Sequence, residues 1–377
     1  SAMNFILSFR PLLTIVLFVS SSLLLAQDFD LSTLPRVTRE GRIDKIIPTP
    51  NDKYIIVGFF DFIEGKHKPR VARLISDGTL DEGFTTPFRH DDFIYDAVVS
   101  DTGELFVAIQ TNEREDKVIK LKSDGSIDTE FVFSANARIY ALAFYNGNLL
   151  VGGDFTEVNS VPTSKFISVT KNGNFNTVFN NNVSIDKLVY HIGFQGQKII
   201  VSGRFGDFSV RLNADGSNDI SFQYDFDDIK SNLSSAIYQF ENMIVTDDHI
   251  FIYDFFNGLI FLDKDGVFDK YTKNYSSTLI SAMAWKNDEL YFASGFDDAP
   301  DVYKYSTEFD SFDYLGTASG SIDAMAVNND DELLMGGELK KFRLITTNSI
   351  SKLDAMDNPI PDFGVKDFYA NGIINSL

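Results

Sequence analysis

Residues 139–155 read Ile139-Tyr-Ala-Leu-Ala-Phe-Tyr145, Asn146-Gly147, Asn148, then Leu149-Leu-Val-Gly-Gly-Asp-Phe155. Two apolar runs flank an Asn-Gly pair, and Asn-Gly tolerates the positive φ that a tight two-residue hairpin demands. The two glycines of the second run suit a crowded strand position where backbones approach closely. A loop, TEVNSVPTSK, leads to a third strand at 166–170. Asn172-Gly173 turns the chain again, and Asn174 to Phe179 is expected to form a fourth strand. The same order of parts recurs along the chain. Apolar starts fall at Ile43, Ile94, Ile139, Val189, Ile237, Ile280 and Ile322, with an unfinished eighth at Ile373. A period of roughly 40–50 residues filled with short strands is the signature of β-propeller blades. The expected fold is all-β: about seven four-stranded antiparallel blades, with six or eight as alternatives.

The second-strand position reads Tyr54-Ile-Ile-Val-Gly58, Leu105-Phe-Val-Ala108, Ile199-Ile-Val-Ser-Gly203, Tyr291-Phe-Ala-Ser-Gly295 and Leu333-Leu-Met-Gly-Gly337. The last turn reads DGTLDEGF (77–84), DGSIDTEF (124–131), NGNFNTVF (172–179), DGSNDISF (215–222) and DGVFDKYT (265–272), then decays. No linker richer in Pro or Gly separates the repeats, so residues 27–377 read as one propeller domain. The pieces at 27–42 and 356–377 are left over, and one of them is expected to complete a blade at the other end. Residues 3–26 read as a secretory signal with Arg10 as its positive flank, and Ser1-Ala2 as a cloning remnant.

Val151-Gly-Gly-Asp-Phe155, Val158-Asn159, Val71-Ala-Arg-Leu-Ile-Ser-Asp-Gly-Thr-Leu-Asp81 and Val210-Arg-Leu-Asn-Ala-Asp-Gly-Ser217 together resemble the delta-60 repeat of bacterial envelope and secreted proteins. The resemblance covers most of residues 43–365 and is strongest in the first four repeats. It implies a propeller-like β-fold and carries over no catalytic residue.

Composition narrows the function classes. The net charge of −21 repels phosphate backbones and anionic lipid surfaces, so neither nucleic acid nor direct membrane insertion after signal cleavage is expected. The chain has no cysteine, which excludes disulfides, thiolate metal sites, a Cys nucleophile and lipidation at a mature N-terminal Cys. His67, His90, His191 and His249 show no zinc spacing, and Asp263-Lys-Asp265-Gly266 lacks the rest of an EF-hand loop. The Asp-Gly units read as hairpin turns, not calcium loops. There is no G-x-S-x-G, and Ser231-Asn-Leu-Ser-Ser235 has no neighbouring His. No cofactor, metal or catalytic residue is assigned, and the chain is read as a non-enzyme. The aromatics Phe59-Phe60, Tyr140, Tyr190, Tyr238, Phe255-Phe256 and Trp285 read mainly as inter-sheet packing.

Function in a rigid scaffold concentrates on loops. Loops 61–69, 85–93, 156–165, 180–185 and 224–236 are expected to share one face. They supply Lys66, His67, Lys68, Arg89, His90, Asp91, Asp92, Asp225, Asp227 and Asp228 as candidate contact residues. The favoured expectation is a periplasmic protein–protein interaction module of the Gram-negative envelope, docking on or capping an outer-membrane secretion or uptake complex; secretion, or surface display through a partner, is the alternative location. A carbohydrate-binding or carbohydrate-active propeller is the first rival and predicts carboxylates and exposed aromatics, not Leu, Val and Gly, at the channel mouth. A calcium-dependent adhesin is the second.

Overall fold

The computed structural model describes residues 38–203, 209–233, 240–254, 257–272, 279–295, 299–343, 345–347, 349–361, 363–364 and 368–371. They belong to one compact unit, Thr38–Leu377. The signal-like residues 3–26 and the repeat starts Ile237 and Ile373 lie outside the described residues. Strands dominate, and seven antiparallel sheets among the described residues repeat one plan. In the first sheet, Arg42–Pro48 pairs with Tyr54–Phe59, which pairs with Val71–Leu74. The corresponding first strands are Phe93–Val99, Ile139–Tyr145, His191–Gln195, Phe240–Val245, Ile280–Lys286 and Ala324–Val327. Ile43, Ile94, Ile139 and Ile280 fall inside these strands, and Val189 and Ile322 stand just ahead of theirs. The middle strands are apolar on both faces, since each is covered by a neighbouring sheet on either side; Tyr54 to Val57 are all buried.

The fourth strand is the main departure from expectation. In five repeats it shrinks to a single bridge: Leu74–Leu80, Leu121–Ile127, Val169–Phe175, Leu212–Asn218 and Leu353–Pro359. In four of them an Asp or Asn then turns the chain out of the sheet. Asp219 Oδ1 accepts from Ser221 N at 3.1 Å, and Asn176 caps Phe179 N at 3.3 Å. Residues 174–179, expected as strand, therefore hold a bridge and the start of α1 (Thr177–Asn182). The turn drives the terminal aromatic inward: Phe84, Phe131 and Phe179 are buried between sheets. The fifth sheet has Thr272 in place of that Phe, so nothing is inserted, and Phe268–Thr272 stays in the sheet as a full fourth strand.

The same unit joins neighbouring sheets. Arg73 binds Asp81 at 2.9 Å and donates to Ser123 O of the next sheet's turn at 2.7 Å. Lys120 repeats this with Asp128 and Lys171 O, and Arg211 with Asp219 and Lys264 O. The third sheet has Ser168 and Asn176 at those positions, and there Asn182 of α1 donates to Asp215 O at 3.0 Å. Backbone links accompany these contacts: Thr85 N to Asp124 O and Gln223 N to Asp265 O.

Closure uses the same parts. Gly364 N donates to Asp77 O, and Ile43 and Ile46 share one core with Ala324, Leu334 and Ile350 of the seventh sheet. Phe368–Asn371 pairs with Phe62–Ile63, and Thr38–Glu40 pairs with its other edge. Ser134–Ala135 against Glu157–Val158, and Ser311–Ser319 against Lys341–Phe342, are the equivalent links elsewhere. The C-terminal strand thus takes the place of the link from a preceding sheet, and the two ends of the array meet.

Candidate functional site

First strands begin irregularly. Register shifts fall between Ile43 and Lys45, Ile94 and Asp96, Ile139 and Ala141, and Ile280 and Ala282. Each is a bulge that inserts one extra residue: Asp44, Tyr95, Tyr140 and Ser281. A bulge re-aims the side chain it carries, and bulges gather beside functional sites. Here they set Tyr95 edge-on to Tyr140 at 5.7 Å, and Tyr140 stacks on Tyr190 at 4.6 Å. The three half-buried rings form a ladder across the second, third and fourth sheets. Arg138 lies 5.7 Å from the Tyr95 ring. A hydrogen bond to the Tyr140 side chain holds the Arg138 guanidinium above its usual range, while burial raises the Tyr95 phenol.

Beside Tyr95, between the first and second sheets, is a cavity of about 150 Å³ lined by Asp44, Phe59, Arg70, Asp92 and Phe93 among others. Phe59 and Phe93 are 42% and 53% exposed, with ring centroids 6.5 Å apart. Arg70 sits 4.5 Å over Phe59, and Arg42 5.3 Å from the same ring. Arg42 pairs with Asp44 at 2.6 Å. Burial raises the Asp44 carboxyl despite that partner. Arg70 has φ +66°, a left-handed conformation that bulky residues rarely adopt. Its side chain makes no hydrogen bond or ion pair with any described residue, and burial pulls its guanidinium down against the opposing pull of Asp61, Asp92, Asp44 and Asp91. Asp61 Oδ1 and Asp91 Oδ1 are buried without partners as well.

The structure sorts the sequence candidates. Asp92 lines the cavity, and its Oδ2 accepts from Arg89 N at 2.8 Å. Asp91 stands next to it, held by Asn112 at 3.2 Å. Lys68 is buried and structural: its Nζ donates to Glu82 O, Phe84 O and Thr85 Oγ1, fixing the turn below. Lys66 pairs with Glu82, and His67 lies against Phe62. Arg89 and His90 are exposed beside the cavity loop. Asp225, Asp227 and Asp228 belong to α2 (Phe226–Asn232), where Asp225 caps the first turn and the hydrogen bonds close locally. They do not join the cavity. His191 and His249 each lie against an aromatic ring. Among the described residues no group of three His, Asp or Glu is placed to hold a metal ion. Tyr238, Phe255 and Phe256 lie outside the described residues.

Sequence reasoning missed Asp44, Phe59, Arg70, Phe93 and Tyr95. Phe59 was read with Phe60 as packing; Phe60 is buried and Phe59 is not. The cavity therefore carries carboxylates and partly exposed aromatics. At the opposite end of the first strands, hairpin turns leave an opening of about 560 Å³. Its Thr49 and Ser100 side chains close their own turns.

Residues 49–84 match a β-propeller domain family of unknown function, DUF5122. A sequence search of curated proteins returns no match. Similar solved structures include the WD40 β-propeller domain of Doa1, with 10% identity, TM-score 0.52, and coverage of 85% of this chain and 93% of that one. A chain of the mitotic checkpoint complex gives 10% identity, TM-score 0.51, and coverage of 88% and 98%. The extracellular domain of a hybrid two-component system from B. thetaiotaomicron gives 8% identity, TM-score 0.56, and coverage of 86% and 42%. The chain is a β-propeller. At such identities the likeness speaks for the fold alone. Among the described residues no helix is long and apolar enough to cross a membrane.

Proposed function

We propose that this propeller is a non-enzymatic recognition module that works by protein–protein contact at the bulged end of its first strands. The observation that carries this reading is the Tyr95–Tyr140–Tyr190 ladder with Arg138 beside it. Tyr and Arg dominate the energetically decisive residues of protein interfaces, because they bury large area and keep a polar handle. A rigid ring fixes these rings before contact, so little ordering entropy is lost on docking. The mitotic checkpoint complex chain, similar in fold, comes from a multiprotein assembly, which is consistent with such a role.

The setting we propose is the bacterial periplasm, with an outer-membrane secretion or uptake complex as partner. The delta-60-like units and the signal-like residues 3–26 support it. Affinity purification from detergent-solubilised membranes tests both steps. Wild-type protein should recover an integral outer-membrane protein, and Tyr140→Ala should weaken that recovery at least tenfold, the scale of an interface hot spot. Recovery of the propeller alone, or an undiminished yield with Tyr140→Ala, overturns the reading.

A further inference from the structure

We propose that the cavity between the first and second sheets binds a single neutral sugar ring. This goes beyond the protein-docking surface: the ligand is of another class, and Phe59, Arg70 and Phe93 take no part in the tyrosine ladder.

Size comes first. At about 150 Å³ the cavity is well below the ~300–1,000 Å³ of pockets for drug-sized ligands, so it has room for one ring and not for a large cofactor. Its lining mixes two chemistries. Phe59 and Phe93 offer exposed ring surface, where the C–H face of a pyranose can pack. Asp44, Asp92 and Arg70, which lies over Phe59, offer charged acceptors and donors beside it.

The charge balance then selects the ligand. An anion would meet Asp44 and Asp92 in the wall, with Asp61 and Asp91 close behind Arg70. A cation would meet Arg70, Arg42 and Lys45. A hydroxyl group meets neither objection, since it donates to a carboxylate and accepts from a guanidinium at once. Arg70 is the residue most in need of such a partner. A guanidinium with five donors normally finds an acceptor when half-buried, yet this one has only the Phe59 face. Its backbone is held at φ +66° by the bond from Arg70 N to Phe60 O at 2.9 Å. A bulky side chain kept at a left-handed position and left unpaired matches the pattern of strain retained at ligand sites.

Saturation-transfer NMR on the full chain tests this, with the methyl glycosides of glucose, galactose, mannose and N-acetylglucosamine as probes and glucuronic acid as the charged comparison. At least one neutral glycoside should receive saturation from Phe ring protons. Phe93→Ala, at an exposed ring, and Arg70→Asn, which keeps a residue tolerant of positive φ, should each weaken binding about tenfold or more. Glucuronic acid should bind more weakly than glucoside. No transfer to any neutral glycoside overturns the proposal, as does transfer that survives Phe93→Ala in a variant with a wild-type melting curve. Either failure leaves the membrane-protein purification, which reads Tyr140, unaffected.

Discussion

Gly125 and Gly147 look alike in sequence, each the second residue of a turn pair, yet the structure gives them different burdens. Gly125 has φ +90°, and a Cβ there would lie 2.5 Å from Thr85 O of the preceding sheet. Gly147 has φ +75° with nothing within 4 Å. Gly147→Ala should therefore cost only the left-handed backbone penalty, about 1–2 kcal/mol. Gly125→Ala should cost at least ~2 kcal/mol more, because the link between the first two sheets must open. Urea unfolding of the two variants measures the difference; equal losses would contradict the clasp described here. The turn itself is readable from Asp-Gly and Asn-Gly. The clasp is not, since Thr85 and Gly125 meet only when two sheets stack. Phe59 and Phe60 make the same point, because one register position separates a core ring from an exposed one.

At the scale of the element, the turn unit acts as a charged bracket. The Ser221 hydroxyl is the largest cause holding the Asp219 carboxyl well below its usual range, with Lys198 and Arg211 adding to it and burial opposing. A carboxyl depressed in the folded state stabilises above the unfolded value of about 4, and that stability drains away as pH falls below it. Asp219→Asn should thus lower stability by ~1–2 kcal/mol at pH 7, where it removes one of the two carboxylates, with Asp265, that pair the buried Arg211. The gap from wild type should narrow in acid, as the unfolded wild-type carboxyl takes up its proton first. Urea midpoints at neutral and acid pH give both numbers, and a gap constant with pH would contradict the bracket. Residues 174–179 read as a fourth strand because they follow the turn at Asn172-Gly173 and end in an aromatic. What that reading hides is the competition from an Asp or Asn side chain for nearby N–H groups, which ends the strand after one bridge. The first-strand bulges were hidden for a related reason: an inserted residue leaves apolar composition intact while shifting the register. That is why Asp44 and Tyr95 escaped notice while the loop residues Asp91 and Asp92 did not.

For the molecule as a whole, the 40–50-residue period was sufficient to give the architecture, and geometry of the blade named the loops around Asp92. Closure by a terminal piece was expected from the leftover ends, but its partners needed the structure, because Thr38–Glu40 and Phe368–Asn371 carry no repeat motif and find each other only across the full chain. Deleting residues 368–377 should lower the melting temperature and leave the edges of Phe62–Ile63 and Thr38–Glu40 unpaired. Open strand edges recruit other strands. Size-exclusion chromatography should then show self-association absent from the full chain; a monomer of unchanged melting temperature would mean that the core shared by the first and seventh sheets suffices alone.

The bond from Gly364 N to Asp77 O also sets an order of events. Contacts between distant parts of a chain form slowly, because the loop between them must close first. A ring whose first sheet is sealed by its seventh has no shortcut. As the chain is synthesised, Ile43, Ile46 and Leu74 wait for Leu334 and Ile350. The first sheet stays unsealed until Gly364 is available, and a chaperone covering it would have the longest task.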